Sequence, residues 1–264
     1  AVSPPLVALL TPEAKAQPAR VALFRAAPGC DPDAAAPIVS KSFFQAQEVK
    51  LLWSPTGSAL LVHVSTDVDR SGNSYYGSTS LYFLRADGEL DCSVPLSKEG
   101  TIHAVEWSPG GRDFVVIAGT MPAQATLYNQ RCEPVFEFGQ AHRNTISFSP
   151  HGRFLCLAGF GNLNGTMDFW DRNKLKKMGS NTAHTTVSYG WSPCGRYFMT
   201  ATLAPRMNVD NGFKIFRYTG AGPVCSRDYE RLLDATWRPA AAGGYRDRPQ
   251  SPRRAGGGAP PARG

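Results

Sequence analysis

The sequence from Tyr189 to Thr202, YGWSPCGRYFMTAT, decides the fold because its central phrase recurs along the chain. Related phrases are LLWSPTGSALLVHVS from Leu51, VEWSPGGRDFVVIAG from Val105 and ISFSPHGRFLCLAG from Ile146, and a shorter copy, ATWRP, begins at Ala235. Pro and Gly mark a tight turn in each full copy, since Pro fixes φ at about −65° and Gly accepts positive φ. The apolar run after each turn is typical of a buried strand. We therefore predict a repeated strand–turn–strand unit.

The spacing of this phrase indicates the architecture. Its aromatic residue recurs every 41 to 54 residues, at Trp53, Trp107, Phe148, Trp191 and Trp237. One four-stranded blade of a β-propeller takes about 40–45 residues. Trp170-Asp171 is also the dipeptide that names WD repeats. We therefore predict an all-β, WD-type β-propeller that is partial, with about four complete blades, pieces of two more and disordered ends.

Composition divides the chain into three segments. Residues 1–19 are rich in Pro and Ala, and we predict a loop or disordered stretch there. We predict propeller blades over residues 20–239 and a disordered tail, rich in Pro, Gly, Ala and Arg, over residues 240–264. The first residues lack the basic and apolar regions of a signal peptide, so we interpret them as an internal start.

The net charge and the positions of the cysteines bear on whether the chain binds RNA or zinc. The net charge is +7, but the tail holds five Arg and one Asp, which leaves +3 for all other residues. This favours RNA binding only weakly. The six cysteines are scattered and show no zinc-ligand spacing, and no apolar run reaches the roughly 20 residues of a membrane helix. We predict a cytoplasmic protein with no membrane association and no cofactor.

The sequence matches neither of two motifs that would indicate an enzyme. No G-x-S-x-G nucleophile motif occurs. The segment GFGNLNG, from Gly159 to Gly165, has the wrong glycine spacing for a dinucleotide loop and lies between predicted strands. We therefore predict that the chain is not an enzyme.

The densest basic run before the tail is RNKLKKM, from Arg172 to Met178, which we expect in a loop after the WD dipeptide. A basic loop is either a solvated surface or a contact for phosphate groups or an acidic protein. A second exposed loop, APRMNVDNG, supplies one more cation. The candidate contact residues for phosphate groups, such as those of RNA, are Arg172, Lys174, Lys176, Lys177 and Arg206.

Several longer segments resemble one family. They include KSFFQAQEVKLLW, SPHGRFLCLAGFGNLNGTMDFWD and TATLAPRMNVDNGFKIFRYTG, and the similarity runs from about Val21 to about Pro239. These segments are similar to the eukaryotic translation initiation factor 2A family. Two shorter stretches within these segments, LAGFGNLNG and DNGFKIF, are specific to that family and to a related subunit of initiation factor 3.

The resemblance implies a function and its partners. Members of this family carry a large WD-type propeller of nine blades, followed by a basic helical C-terminal region. The resemblance implies a non-enzymatic translation initiation factor that associates with the small ribosomal subunit. It would direct initiator methionyl-tRNA there independently of GTP on selected mRNAs, together with other initiation factors. The alternative is a WD-repeat protein-interaction scaffold with no direct RNA role.

Overall fold

The computed structural model describes residues 5–14, 17–26, 36–66, 78–241 and 243–251. Regular structure in these ranges is entirely β, with nineteen strands arranged in antiparallel sheets and numbered below in chain order. The predicted all-β fold is therefore confirmed. No helix in the described ranges is long and apolar enough to cross a membrane.

The first sheet has three strands and corrects one expectation. It consists of β1 (Leu6–Thr11), β2 (Ala19–Arg25) and β3 (Val39–Phe43), in that order. We predicted a loop over residues 1–19, which is wrong for β1. This strand pairs with β2 along its whole length, from Leu6 opposite Arg25 to Thr11 opposite Arg20. It lies at a sheet edge with exposed apolar side chains, so its sequence lacks the clear alternation that would have indicated a strand.

Four blades of four antiparallel strands follow. Blade 1 contains β4 (Glu48–Trp53), β5 (Ala59–Thr66), β6 (Ser78–Arg85) and β7 (Asp91–Ser93). Blade 2 contains β8 (Ile102–Trp107), β9 (Asp113–Ala118), β10 (Ala123–Asn129) and β11 (Pro134–Ala141).

Blades 3 and 4 repeat this order. Blade 3 contains β12 (Thr145–Phe148), β13 (Phe154–Ala158), β14 (Thr166–Asp171) and β15 (Lys176–Thr182). Blade 4 contains β16 (Ser188–Trp191), β17 (Tyr197–Thr202), β18 (Gly212–Arg217) and β19 (Cys225–Asp228). The inner strand β12 contacts both β8 and β16, so the blades stack in chain order.

The second strand of each blade is mostly apolar and mostly buried, because neighbouring blades cover both of its faces. In β9, Phe114 and Val116 belong to the core between blades 1 and 2. Val115 and Ile117 belong to the core between blades 2 and 3. Successive strand residues point to opposite faces, so one continuous apolar run fills two separate cores.

The recurring phrase forms the turn between the first two strands of each blade. Its glycines have positive φ, at +67°, +63°, +68° and +65° for Gly57, Gly111, Gly152 and Gly195. The buried serine hydroxyl accepts the backbone N–H five residues later in three copies, at 3.1, 3.0 and 3.1 Å for Ser54, Ser149 and Ser192. The serine therefore replaces a backbone partner that the turn cannot supply.

The tryptophan of the phrase links neighbouring blades. Trp107 Nε1 donates to the carbonyl of Leu52 at 2.9 Å, and Trp191 Nε1 donates to that of Ser147 at 3.0 Å. Each acceptor directly precedes the matching aromatic residue of the blade before. Trp237 Nε1 donates in the same way to Gly190, at 3.0 Å. The shorter fifth copy therefore keeps the link to blade 4, although residues 229–241 form no strand.

We expect Trp191→Phe to lower the free energy of unfolding by about 1–2 kcal/mol beyond its packing loss, because the Ser147 carbonyl loses its donor. Trp170→Phe is the matched control, since the buried Trp170 indole N–H has no partner among the described residues. Urea unfolding of both variants makes the comparison. Equal losses would show that the indole hydrogen bond contributes nothing.

Blade 3 carries Phe148 instead of tryptophan and uses a carboxylate for its link. The backbone N–H of Phe148 donates to Glu106 Oε1 at 3.3 Å, and Glu106 directly precedes Trp107. Burial raises the pKa of Glu106 to about 7, and the hydrogen bond from Phe148 opposes this only in part. The folded protein therefore holds a proton on Glu106 at a pH where the unfolded chain has released it.

This proton makes stability depend on pH. Because the folded-state pKa of Glu106 is raised, its contribution is favourable at acid pH and is lost as pH rises from about 4.5 to about 7. We expect Glu106→Gln to be more stable than the unmodified chain by about 3 kcal/mol at pH 8 and by less than about 1 kcal/mol at pH 5. Urea unfolding at both pH values measures this. A gain of the same size at pH 5 would contradict the assignment.

The predicted tail, residues 240–264, is described only for residues 240–241 and 243–251. These residues form no strand, but several of them contact blades 3 and 4. The tail boundary at residue 240 stays a prediction.

Candidate functional site

The strands of blades 1–4 end on two opposite faces. The turn face carries the Trp-Ser-Pro-x-Gly turns and the connections from β14 to β15 and from β18 to β19. The loop face carries residues 142–144, 159–165, 183–187 and 203–211, which join the other strand ends. The candidate contact residues are divided between these two faces.

Arg172 lies on the turn face and joins two blades. Its Nη2 atom is 3.2 Å from Asp113 Oδ2, and both side chains are largely buried. Arg172 therefore connects blade 3 to the start of β9 in blade 2. Next to it, the fully buried Asp171 accepts the backbone N–H of Lys174 at 3.2 Å and shapes the loop. The charge of Arg172 is therefore paired within the fold, so its main role is structural.

The three lysines do not form a single cluster. The expected loop ends at Leu175, because Lys176 and Lys177 begin β15. Adjacent strand residues point to opposite faces of a sheet, so these two side chains diverge. Lys177 Nζ is 2.7 Å from Asp168 Oδ1. Lys174 and Lys176 are exposed and form no ion pair within the described ranges, so they remain the cations available to a partner.

Arg206 lies on the loop face, at the opposite end of the sheets from Arg172. It is exposed in the connection from β17 to β18. A cleft of about 460 Å³ lies in this part of blade 4, and its lining includes Asp210, Asp228 and Glu230. The three carboxylates of this cleft disfavour a phosphate ligand there. Because Arg206 lies on the loop face, it cannot bind one phosphate group together with the lysines of the turn face.

The structure also contains a charged group that sequence reasoning missed. Arg143 is 4% exposed, and its Nη2 atom lies 3.6 Å from Asp168 Oδ2. Asp168 Oδ1 also accepts the hydroxyl of Ser180 at 2.8 Å. Burial lowers the pKa of Arg143, and the charge of Asp168 opposes this. A cavity of about 190 Å³ borders this pair on the loop face.

The family-specific loop from Gly159 to Gly165 lies beside this group. Asn144 donates to the carbonyl of Phe160 at 3.0 Å and accepts the backbone N–H of Phe160 at 3.0 Å. A Cβ atom on Gly159 would overlap the carbonyl of His142. The loop therefore needs glycine to pack closely. A lone basic residue before a strand gives no sequence signal of burial, which is why Arg143 was missed.

Comparison with known proteins identifies the family. Residues 41–235 match the sequence model described as "Eukaryotic translation initiation factor eIF2A". The chain belongs to the eIF2A family. This confirms the resemblance to that family.

Related eIF2A sequences cover most of this chain. It is 46% identical over 218 residues to eukaryotic translation initiation factor 2A of Drosophila melanogaster, covering 83% of this chain and 34% of the relative. The protein of the same name from Dictyostelium discoideum is 48% identical over 197 residues, covering 75% and 32%. The chain therefore spans about a third of the length of these curated relatives.

A solved structure supports the propeller. The structure described as "Crystal structure of the eukaryotic initiation factor" aligns with a TM-score of 0.76 and 34% identity. The alignment covers 89% of this chain and 54% of that one. The β-propeller architecture predicted from the repeated phrase is therefore confirmed.

Proposed function

We propose that this chain is the propeller part of a cytoplasmic translation initiation factor. In this proposal the factor associates with the small ribosomal subunit and directs initiator methionyl-tRNA to it on selected mRNAs, independently of GTP and alongside other initiation factors. The observation that carries the proposal is the eIF2A family match over residues 41–235. Relatives named as this initiation factor support it at 46% and 48% identity.

Binding without catalysis fits the described residues. They contain no group of three or more His, Cys, Asp or Glu side chains able to hold a metal ion. We propose that the chain is not an enzyme and acts by binding RNA and protein surfaces. The proposed RNA contact on the turn face is formed by Lys174 and Lys176, with Arg172 positioning the loop through Asp113.

Co-sedimentation with purified small subunits tests the proposal. The chain is sedimented with subunits at several salt concentrations, with and without initiator methionyl-tRNA, and with GTP, GDP or no nucleotide. We expect the chain to bind the subunit and to increase the amount of tRNA that sediments with it. We expect neither amount to change with the nucleotide. Absence of binding at low salt would contradict the proposal and favour the protein-interaction scaffold.

We expect the double variant Lys174→Ala/Lys176→Ala to reduce the slope of log affinity against log salt by about two units, because each phosphate contact contributes a near-unit share. Lys177→Ala is the matched control. Its charge is already paired with Asp168, so we expect a smaller change. An unchanged slope in the double variant would leave both lysines as solvated surface.

A further inference from the structure

One Ser-Pro dipeptide differs from the others in its sequence context. Seven Ser-Pro or Thr-Pro dipeptides occur, beginning at Ser3, Thr11, Ser54, Ser108, Ser149, Ser192 and Ser251. Proline-directed protein kinases phosphorylate Ser or Thr before Pro, and the cyclin-dependent class prefers a basic residue three positions later. Only Ser251 meets both conditions, because its sequence continues as Pro252, Arg253 and Arg254.

Burial separates Ser251 from the turn serines. The serines of the four Trp/Phe-Ser-Pro turns are 1–3% exposed and lie within the turns that they help to form. Ser251 is exposed and lies outside every strand. A kinase requires an accessible hydroxyl on a segment that can enter its cleft, so Ser251 fits while the buried turn serines do not.

The structure places Ser251 against an arginine of blade 4. Arg196 Nη2 donates to Ser251 Oγ at 2.7 Å, and Arg196 Nη1 donates to the carbonyls of Arg248 and Pro249 at 3.3 and 3.2 Å. The backbone N–H of Ser251 donates to the hydroxyl of Tyr218 at 2.8 Å. One guanidinium therefore already holds the hydroxyl and the two carbonyls before it.

Aromatic stacking fixes the position of this guanidinium. Its central carbon lies 3.9 Å from the ring centroid of Tyr218 and 5.8 Å from that of Phe154. These two rings are themselves stacked at 4.5 Å. Arg196 is thus held by cation–π contacts and directs its donors toward Ser251.

Two more contacts attach the preceding residues to blade 3. The ring of His151, in the blade 3 turn, forms a hydrogen bond with the carbonyl of Tyr245 at 2.8 Å. Arg153 Nη1 lies 3.1 Å from Asp247 Oδ2. The segment 243–251 therefore crosses the turn face from blade 3 to blade 4. It forms no strand ladder, and exposed contacts of this kind are individually weak, so the segment can leave the surface.

We propose that Ser251 is the acceptor of a proline-directed kinase and that Arg196 binds the resulting phosphate and holds segment 243–251 on the turn face. In the transfer, Ser251 Oγ attacks the γ-phosphorus of MgATP and its proton passes to the kinase. The bond to the leaving ADP oxygen breaks, giving phosphoserine and ADP. The segment then returns to the turn face with its new group opposite Arg196.

Electrostatics explains why the phosphate strengthens this contact. The serine hydroxyl accepts one hydrogen bond from a guanidinium, whereas a phosphate adds about −1.5 to −2 charges and three acceptor oxygens. Arginine binds such a group through two parallel hydrogen bonds, which are roughly twice as strong as neutral ones. The phosphorylated segment should therefore open less often than the unmodified one.

Phosphorylation of the full chain tests the acceptor. The chain is incubated with MgATP and a cyclin-dependent kinase, and the modified residue is located by mass spectrometry. We expect phosphate on Ser251, and we expect that site-specific phosphate to be absent from Ser251→Ala. A chain that carries no phosphate on Ser251 would overturn the proposal.

The rate of trypsin cleavage after the exposed Arg246 tests the clamp. We expect phosphorylation to slow cleavage about fivefold in the unmodified sequence and not at all in Arg196→Ala. Arg227→Ala, an exposed arginine on β19 of the same blade, should keep the full slowing. Arg196→Lys, which retains the charge, should keep part of it and serves if Arg196→Ala unfolds. Equal slowing in all phosphorylated variants would overturn the role of Arg196.

Discussion

Gly165→Ala is expected to lower the free energy of unfolding by at least about 3 kcal/mol. Gly165 has φ +81°, and a Cβ atom there would overlap the backbone carbonyl of Ala183. The carbonyl cannot move away easily, because the Ala183 N–H donates to the Gly165 carbonyl at 2.9 Å. Backbone strain and overpacking each cost about 1–3 kcal/mol, and here they add. Urea unfolding measures the loss.

Gly161→Ala separates the two causes. Gly161 lies in the same loop with nearly the same φ, +73°, but no atom lies within 4 Å of an added Cβ. We expect a loss of about 1 kcal/mol from backbone strain alone. If both variants lost the same free energy, the contact with Ala183 would not be the reason that the loop requires glycine.

Asp168→Ala is expected to cost about 3–5 kcal/mol of unfolding free energy. The carboxylate of Asp168 is the ion-pair partner of Arg143, whose side chain is 4% exposed. The other two nitrogens of that guanidinium, Nε and Nη1, have no hydrogen-bond partner in the described part of the chain. Removing the carboxylate leaves a buried charge without compensation, which is among the most destabilising single changes.

The same carboxylate offers an internal control. Lys177 also contacts Asp168, but its side chain is 43% exposed, so Lys177→Ala should cost less than about 1 kcal/mol. The double variant Arg143→Met/Asp168→Leu should recover most of the lost stability, because an apolar pair has no charge to compensate. If the double variant were as unstable as Asp168→Ala, packing rather than charge would explain the loss.

The repeated blades could be predicted from sequence because their signals are local. The turn glycine, the proline and the apolar run that follows each depend only on neighbouring residues, and the same phrase marks all four blades. The edge strand β1 was missed because its exposed apolar side chains give no alternation, and its order comes from pairing with β2.

The candidate site was harder to predict because it depends on partners distant in sequence. The sequence suggests that Lys177 and Arg172 are free cations. In the fold, Lys177 forms an ion pair with Asp168, and Arg172 forms one with Asp113. The division of Arg206 and the lysines between two faces follows from strand direction, which a list of basic residues does not contain. Nothing in the sequence around Arg143 or Arg196 indicates its contacts. In the fold, Arg143 pairs with Asp168, and Arg196 donates to Ser251.

The indole links between blades have a direction. The indoles of Trp107, Trp191 and Trp237 each donate to the blade before their own. Blades therefore join like the protomers of a head-to-tail assembly, with a donor side and an acceptor side that are not interchangeable. Exchanging the order of two blades would keep every turn and every strand, but it would pair donors with acceptors chosen for other neighbours. Loss of one indole hydrogen bond should likewise destabilise the interface between those two blades and leave the other blade interfaces unchanged.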